Sequence, residues 1–238
     1  MTSTPAVLLV HGMWSSAATW WRVGPALESR GWQVEAATLP GHGGRPVGEG
    51  RTLGSLADDV REHHPGGRRL LVGHSLGAVV ALEAAVADPS WAAGVVLVDP
   101  PGRSAGRRTR SLGRGRAQDA ADARADPTAA VAALLHGHPT WSRRDARGVV
   151  QGLLQGDPAL AVLPPLAWDL AALVAACPVP VAVIACPMGG SALAGPDRED
   201  VRRLVGGRLT ELGLGHHVHL DEPAGLVAVV DAFGREVG

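Results

Sequence analysis

The stretch 68–89, RRLLVGHSLGAVVALEAAVADP, sets Ser75 between Gly73 and Gly77 at the point where an apolar run changes character. Residues 69–74 read as a buried strand, and 76–88 as an apolar helix. A serine at such a strand–turn–helix junction sits on a tight turn with its hydroxyl above the sheet, and small neighbours let backbone approach closely. The N–H of Leu76, first in the helix, can then stabilise an oxyanion. The same G-x-S-x-G spacing recurs around Ser104, in GRSAG. One chance match in a chain this rich in glycine has odds of roughly one in five. Two prolines precede Ser104 and arginines follow it, so Ser104 reads as the accident and Ser75 as the nucleophile.

Working outward, short apolar runs alternate with helical patterns. Strands are expected at 6–10, 33–39, 69–74, 94–99, 179–186 and 208–212, and helices at about 17–30, 51–64, 76–88, 197–206 and 222–236. Four of the strands are continuously apolar, as strands buried on both faces are. The alternation predicts a doubly wound, mostly parallel α/β sheet of about six strands. Between Asp99 and about Leu173 no convincing strand is found. This divides the chain into a core, 1–99 and 174–238, and a helical lid insertion, 100–173. The lid opens at 103–116, which holds six arginines without apolar periodicity and is expected to form a mobile loop at the lid edge. The competing reading is a solvated loop followed by packing helices.

The 238 residues carry a net charge of −1 and are 46% hydrophobic, which argues for a globular protein and against a nucleic-acid or membrane-surface binder. Lys, Asn and Tyr are absent, a bias that resembles GC-rich coding and says little about chemistry. No signal peptide is expected at MTSTPAVLLVHG, because it lacks a basic start and its apolar run is short. Cys177 and Cys186 fall at opposite ends of one strand, too far apart to bridge. A cytoplasmic protein without disulfides is expected, acting on a small molecule and leaving a homodimer open.

Three further segments fall in order around the Ser75 motif: LLVHGMW (8–14), LPGHGGRP (39–46) and GLGHHVHLDEP (213–223). Together they resemble the α/β-hydrolase superfamily, across about 1–99 and 177–238. The resemblance implies the α/β-hydrolase fold, an oxyanion hole made by the backbone N–H groups of Met13 and Leu76, and His216 as the catalytic histidine. The superfamily's N-terminal hairpin has no counterpart, and this shorter form resembles the methylesterase and hydroxynitrile-lyase branch. His217 and His219 compete with His216 for the role. A metal is not expected at this His-His-x-His cluster, since no carboxylate or cysteine set with ligand spacing accompanies it. No cofactor is implied. Trp14 is a candidate for the acyl pocket, while Trp20 and Trp21 read equally well as core.

The chain departs from the family at the acid. Most members carry it after the strand equivalent to VAVIAC, where this sequence reads CPMGGSALAG. Asp99, ending VVLVD, is the first candidate, and it could instead line the pocket. Asp197, which reads as a helix-start residue, is the second, and a Ser75–His216 pair with no acid is the third. The resulting expectation is a serine hydrolase cleaving a carboxylic ester or thioester. The alternatives are a lyase or cyclase using Ser75 and His216 as acid–base groups, and an inactive ligand-binding homologue.

Overall fold

The computed structural model describes residues 4–104, 107–163, 166–187 and 190–238, with side chains for all of these except 107–114. Six parallel strands form one sheet: β1 (Ala6–Val10), β2 (Gln33–Ala37), β3 (Arg69–His74), β4 (Ala92–Val98), β7 (Val181–Ala185) and β8 (Leu209–Glu211), in spatial order β2-β1-β3-β4-β7-β8. The period-two alternation of strands divides the apolar side chains between two layers. Leu8, Val10, Leu71, Val95, Leu97 and Val183 face one cluster, while Val7, Leu9, Leu70, Val72, Val96, Val98 and Ile184 face the other. Helices α2 (Leu53–His63), α3 (Leu76–Ala87), α7 (Leu170–Ala176) and α8 (Gly195–Val205) cover the first face. The second is covered by α1 (Val23–Glu28) and α10 (Pro223–Val237). Each fully buried Leu, Val or Ile contributes about 1.5–3 kcal/mol. The central strands β3 and β4 are buried at every position, which explains their unbroken apolar runs.

The strand order positions the site. The chain goes from β1 to β2 on one side and returns to place β3 on the other. Crevices in parallel sheets open where the winding reverses, at the carboxyl ends of the strands. Here those ends are His11-Gly12-Met13 after β1 and His74-Ser75 after β3.

Between β4 and β7 lie β5 (Arg103–Ser104), α4 (Arg107–Ala125), α5 (Pro127–Gly137), α6 (Arg143–Leu154) and β6 (Trp168–Asp169). Asp126 caps α5 by accepting the N–H groups of Thr128 and Ala129, and Ser142 with Asp145 forms a capping box on α6. Ala120, Ala123, Val150, Leu153 and Leu160 pack with Trp14 and Val47, so these helices share a small core with the loop after β1. Asp145 also binds Trp21 Nε1 at 3.0 Å and pairs with Arg22. Trp141 Nε1 donates to Asp221 at 2.7 Å.

Three local expectations are corrected. The helix expected over 17–30 divides into a 3-10 turn, Ala17–Trp20, and α1 from Val23, because Pro25 lacks an N–H and is tolerated only in a helix's first turn. The segment expected as strandless contains β5 and β6, paired antiparallel. The 103–116 loop is replaced by helix from Arg107 onward, since arginine is a good helix former and the later turns of α4 bury Ala120 and Ala123. The mobility expected over 103–116 falls largely on residues 105–106 and on the side chains of 107–114, which lie outside those described.

Candidate active site

Ser75 joins β3 to α3 with φ +52° and ψ −118°, a conformation that costs a non-glycine residue roughly 1–3 kcal/mol. The flanking glycines are required by contact. A Cβ on Gly73 would lie 2.2 Å from Gly77 O, and one on Gly77 would lie 2.3 Å from Val10 O and 2.4 Å from His11 O. All of these neighbours are backbone atoms and cannot move aside. Gly77→Ala is therefore expected to destabilise the fold by about 3 kcal/mol or more. Gly148→Ala, at a helical site where a Cβ meets nothing within 4 Å, is expected to stabilise it by about 1 kcal/mol. Denaturant midpoints of the two variants check both signs.

The histidine comes from the loop after β8. His216 Nε2 lies 3.0 Å from Ser75 Oγ, and Nδ1 lies 2.6 Å from Asp99 Oδ2. An ionised carboxylate only accepts, so Nδ1 carries the proton and Nε2 offers its lone pair to the serine. Asp99 is fully buried at the end of β4 with φ +43°. Its oxygens also accept from Cys186 N–H (3.1 Å), Ser191 Oγ–H (2.5 Å) and Ala192 N–H (2.9 Å). Asp197, the other candidate acid, accepts instead from Arg103 N–H at 2.8 Å and belongs to the ion cluster around that arginine.

Three non-glycine residues among those described have positive φ: Trp14, Ser75 and Asp99. They follow β1, β3 and β4, and Trp14 and Ser75 line one cavity of about 360 Å³ together with Met13, Leu76 and His216. Among the described residues, neither the Met13 nor the Leu76 N–H donates a hydrogen bond. Trp14 is buried, lines this cavity and packs against helices α4 and α6. Trp20 is core, while Trp21 bonds Asp145. Ser104 lines the far wall, where its hydroxyl donates to Leu166 O at 2.7 Å.

Sequence reading missed Ser191 and His74, while Arg116 belongs to the arginine-rich stretch 103–116 that it singled out as a feature an anionic substrate could use. Ser191 lies in GGSALAG, the segment that lacks the family's usual acid, and that anomaly was its available signal. His74 Nε2–H donates to His216 O at 2.8 Å and so holds the loop that carries the catalytic candidate. The nitrogens of His74, His217 and His219 lie within 4.8 Å of one another and are the described group that could hold a metal. Imidazoles sharing a tetrahedral zinc approach to about 3.3 Å, so the rings would have to close up to do so.

Burial keeps these histidines neutral. Desolvation pushes His11 down to about 4 and His42 and His219 to about 3, and holds His74 and His217 well below the usual value. Below about pH 6.5 the unfolded chain binds protons that the folded chain refuses, so stability rises with pH in this window and is lost as pH falls. At about 1.4 kcal/mol per pH unit for each histidine, His11, His42 and His219 alone cost roughly 6 kcal/mol at pH 5. Urea unfolding at pH 7.5 and pH 5 is expected to show a drop of several kcal/mol. Equal stabilities would contradict the neutral, buried assignment.

A sheet of this order with a serine elbow, a histidine after the last strand and a buried aspartate defines a class, and the alpha/beta hydrolase family model matches residues 7–229. The chain belongs to that family. Over 94 residues it is 38% identical to a pimeloyl-[acyl-carrier protein] methyl ester esterase of Methylococcus capsulatus, covering 40% of this chain and 36% of that protein. Over 114 residues it is 32% identical to lipase LipV of Mycobacterium tuberculosis, covering 46% and 43%. The matches thus span about two fifths of each curated relative's length. Among solved structures, a hypothetical protein of Pseudomonas aeruginosa PAO1 matches with TM-score 0.72 and 27% identity, over 99% of this chain and 92% of that one. The thioesterase domain from the curacin biosynthetic pathway shares the fold, with TM-score 0.73 at 20% identity over 96% and 91%. Among the described residues no helix is long and apolar enough to cross a membrane.

Proposed function

We propose that this protein is a serine hydrolase that cleaves a small-molecule carboxylic ester or thioester through an acyl-enzyme on Ser75. The observation that carries this reading is the chain of contacts Ser75–His216–Asp99, at 3.0 Å and 2.6 Å, with its first and last members on strained backbone. His216 Nε2 takes the Ser75 proton as Oγ attacks the carbonyl carbon, and Asp99 stabilises the imidazolium that forms. The N–H groups of Met13 and Leu76 receive the developing oxyanion. His216 then protonates the departing alcohol or thiol. A water, deprotonated by the same nitrogen, releases the acid and restores Ser75.

The lyase or cyclase alternative rests on the resemblance to a branch that holds both kinds of enzyme, and the acid missing after VAVIAC added to it. With Asp99 bonded to His216, that second argument no longer favours it. Relatives described as an esterase and a lipase support hydrolysis. The test is a fluorophosphonate probe followed by short p-nitrophenyl esters. Labelling confined to Ser75 together with ester turnover supports the proposal. Labelling without turnover points to a non-hydrolytic enzyme, and no labelling of folded protein points to a binding protein.

A further inference from the structure

The charges around the cavity are unequally committed. Arg103 is held by three carboxylates, Asp169 at 2.7 Å, Asp200 at 3.5 Å and Asp197 at 3.8 Å, so little of its charge is left for a ligand. Arg116, from α4, lines the same cavity as His216 and His217. Its carboxylate partner among the described residues is Asp119, 3.4 Å away, one turn along the same helix and 52% exposed. Such a solvated pair holds an arginine weakly, at about 0.3–0.5 kcal/mol. Arg116 Nη2–H also donates to His217 Nε2 at 3.4 Å, which ties the guanidinium to the residue next to His216 in the cavity lining. The partly buried His217 ring accepts this bond at Nε2. Each terminal nitrogen keeps a second hydrogen, and a planar guanidinium with free N–H groups matches an oxyanion.

We infer that Arg116 is a specificity residue that binds a carboxylate on the substrate, which makes the preferred substrate an ester or thioester whose acyl or alcohol part carries a free carboxylate. The inference rests on the serine-hydrolase reading for the identity of the reaction, and on Arg116 alone for the charge. The cavity of about 360 Å³ lies at the small end of ligand sites and suits a short chain with one terminal anion.

The experiment compares kcat/KM for mono-p-nitrophenyl glutarate, which is anionic, with p-nitrophenyl pentanoate, its neutral match in length. The wild type is expected to prefer the anionic ester by roughly ten- to thirty-fold, in line with a partly exposed charge-assisted bond. Arg116→Gln is expected to bring the ratio close to one, Arg116→Lys to restore part of it, and Arg103→Gln to leave the ratio as it was. Glutarate binding by calorimetry gives a readout independent of turnover, with roughly tenfold weaker binding expected for Arg116→Gln. A wild-type ratio near one, a preference that survives Arg116→Gln, or a loss confined to Arg103→Gln overturns the inference. A preference abolished by 0.5 M NaCl also overturns it, because the charge would then act by long-range steering and not by contact. If neither ester is cleaved, the serine-hydrolase reading fails, while the calorimetry still decides on Arg116.

Discussion

Ser75→Ala is expected to lower kcat on an activated ester by roughly 10³- to 10⁶-fold and to abolish fluorophosphonate labelling. The variant loses the attacking oxygen, yet keeps the Met13 and Leu76 N–H groups and the cavity, so a residue of catalysis by binding and oxyanion contact should remain. Its fold should survive, since Ser75 Oγ has its catalytic-side contact with His216 and the backbone bond from Ser75 N–H to Val98 O, 3.0 Å, is retained. The strained φ of +52° stays in the alanine variant. Ser75→Gly should relieve it and melt about 1–2 kcal/mol more stable than Ser75→Ala while being just as inactive. Full activity in Ser75→Ala, or labelling that moves to Ser104, would remove the nucleophile from the mechanism.

Asp99→Asn should cost on the order of 10⁴ in kcat near neutral pH, because the amide confuses the donors around it. The two carboxylate oxygens accept four hydrogen bonds, from Cys186, Ser191, Ala192 and His216. An asparagine replaces one of them with an NH₂ group. If the amide faces His216, Nδ1 must accept, the proton moves to Nε2, and the lone pair needed by Ser75 is gone. If it faces Cys186, a buried backbone N–H loses its partner at a cost of about 1–3 kcal/mol. Asp197→Asn should change kcat little, since that carboxylate serves Arg103 and lies at the start of α8. Both variants are measured on one ester. A large loss for Asp197→Asn with Asp99→Asn near wild type would reverse the assignment, and two small losses would leave a Ser75–His216 pair.

The outcome at the acid shows where sequence reading stops. The segment after VAVIAC, where the resemblance implies an acid, instead joins Cys186 in donating hydrogen bonds to Asp99. Cys186, Ser191 and Ala192 all point hydrogens at a carboxylate on the neighbouring strand. That arrangement follows from β4 pairing with β7, with Val98 opposite Ile184 and the Asp99 N–H bonded to Ile184 O at 2.6 Å. The two strands are far apart in the chain, with helices α4 to α7 between them, and no local pattern states that they are neighbours. The arginine-rich start of α4 was misread for a related reason. Its helix buries small alanines against Trp14 and Val47, contacts made with segments far away in the chain.

By itself the sequence determined the parallel sheet and singled out Ser75 and His216 as the candidate nucleophile and histidine. A buried strand needs an unbroken apolar run, a helix over a sheet needs an apolar face, and a tight elbow needs glycines wherever backbone meets backbone. All of these are properties of residues near one another in the chain. Tertiary structure alone decided which carboxylate bonds His216, 117 residues away from Asp99, and which of the two described arginines lining the cavity has fewer acids around it. Those choices depend on strand adjacency and on how many acids gather round each guanidinium. Both are set by packing among distant segments, where spacing along the chain carries no information.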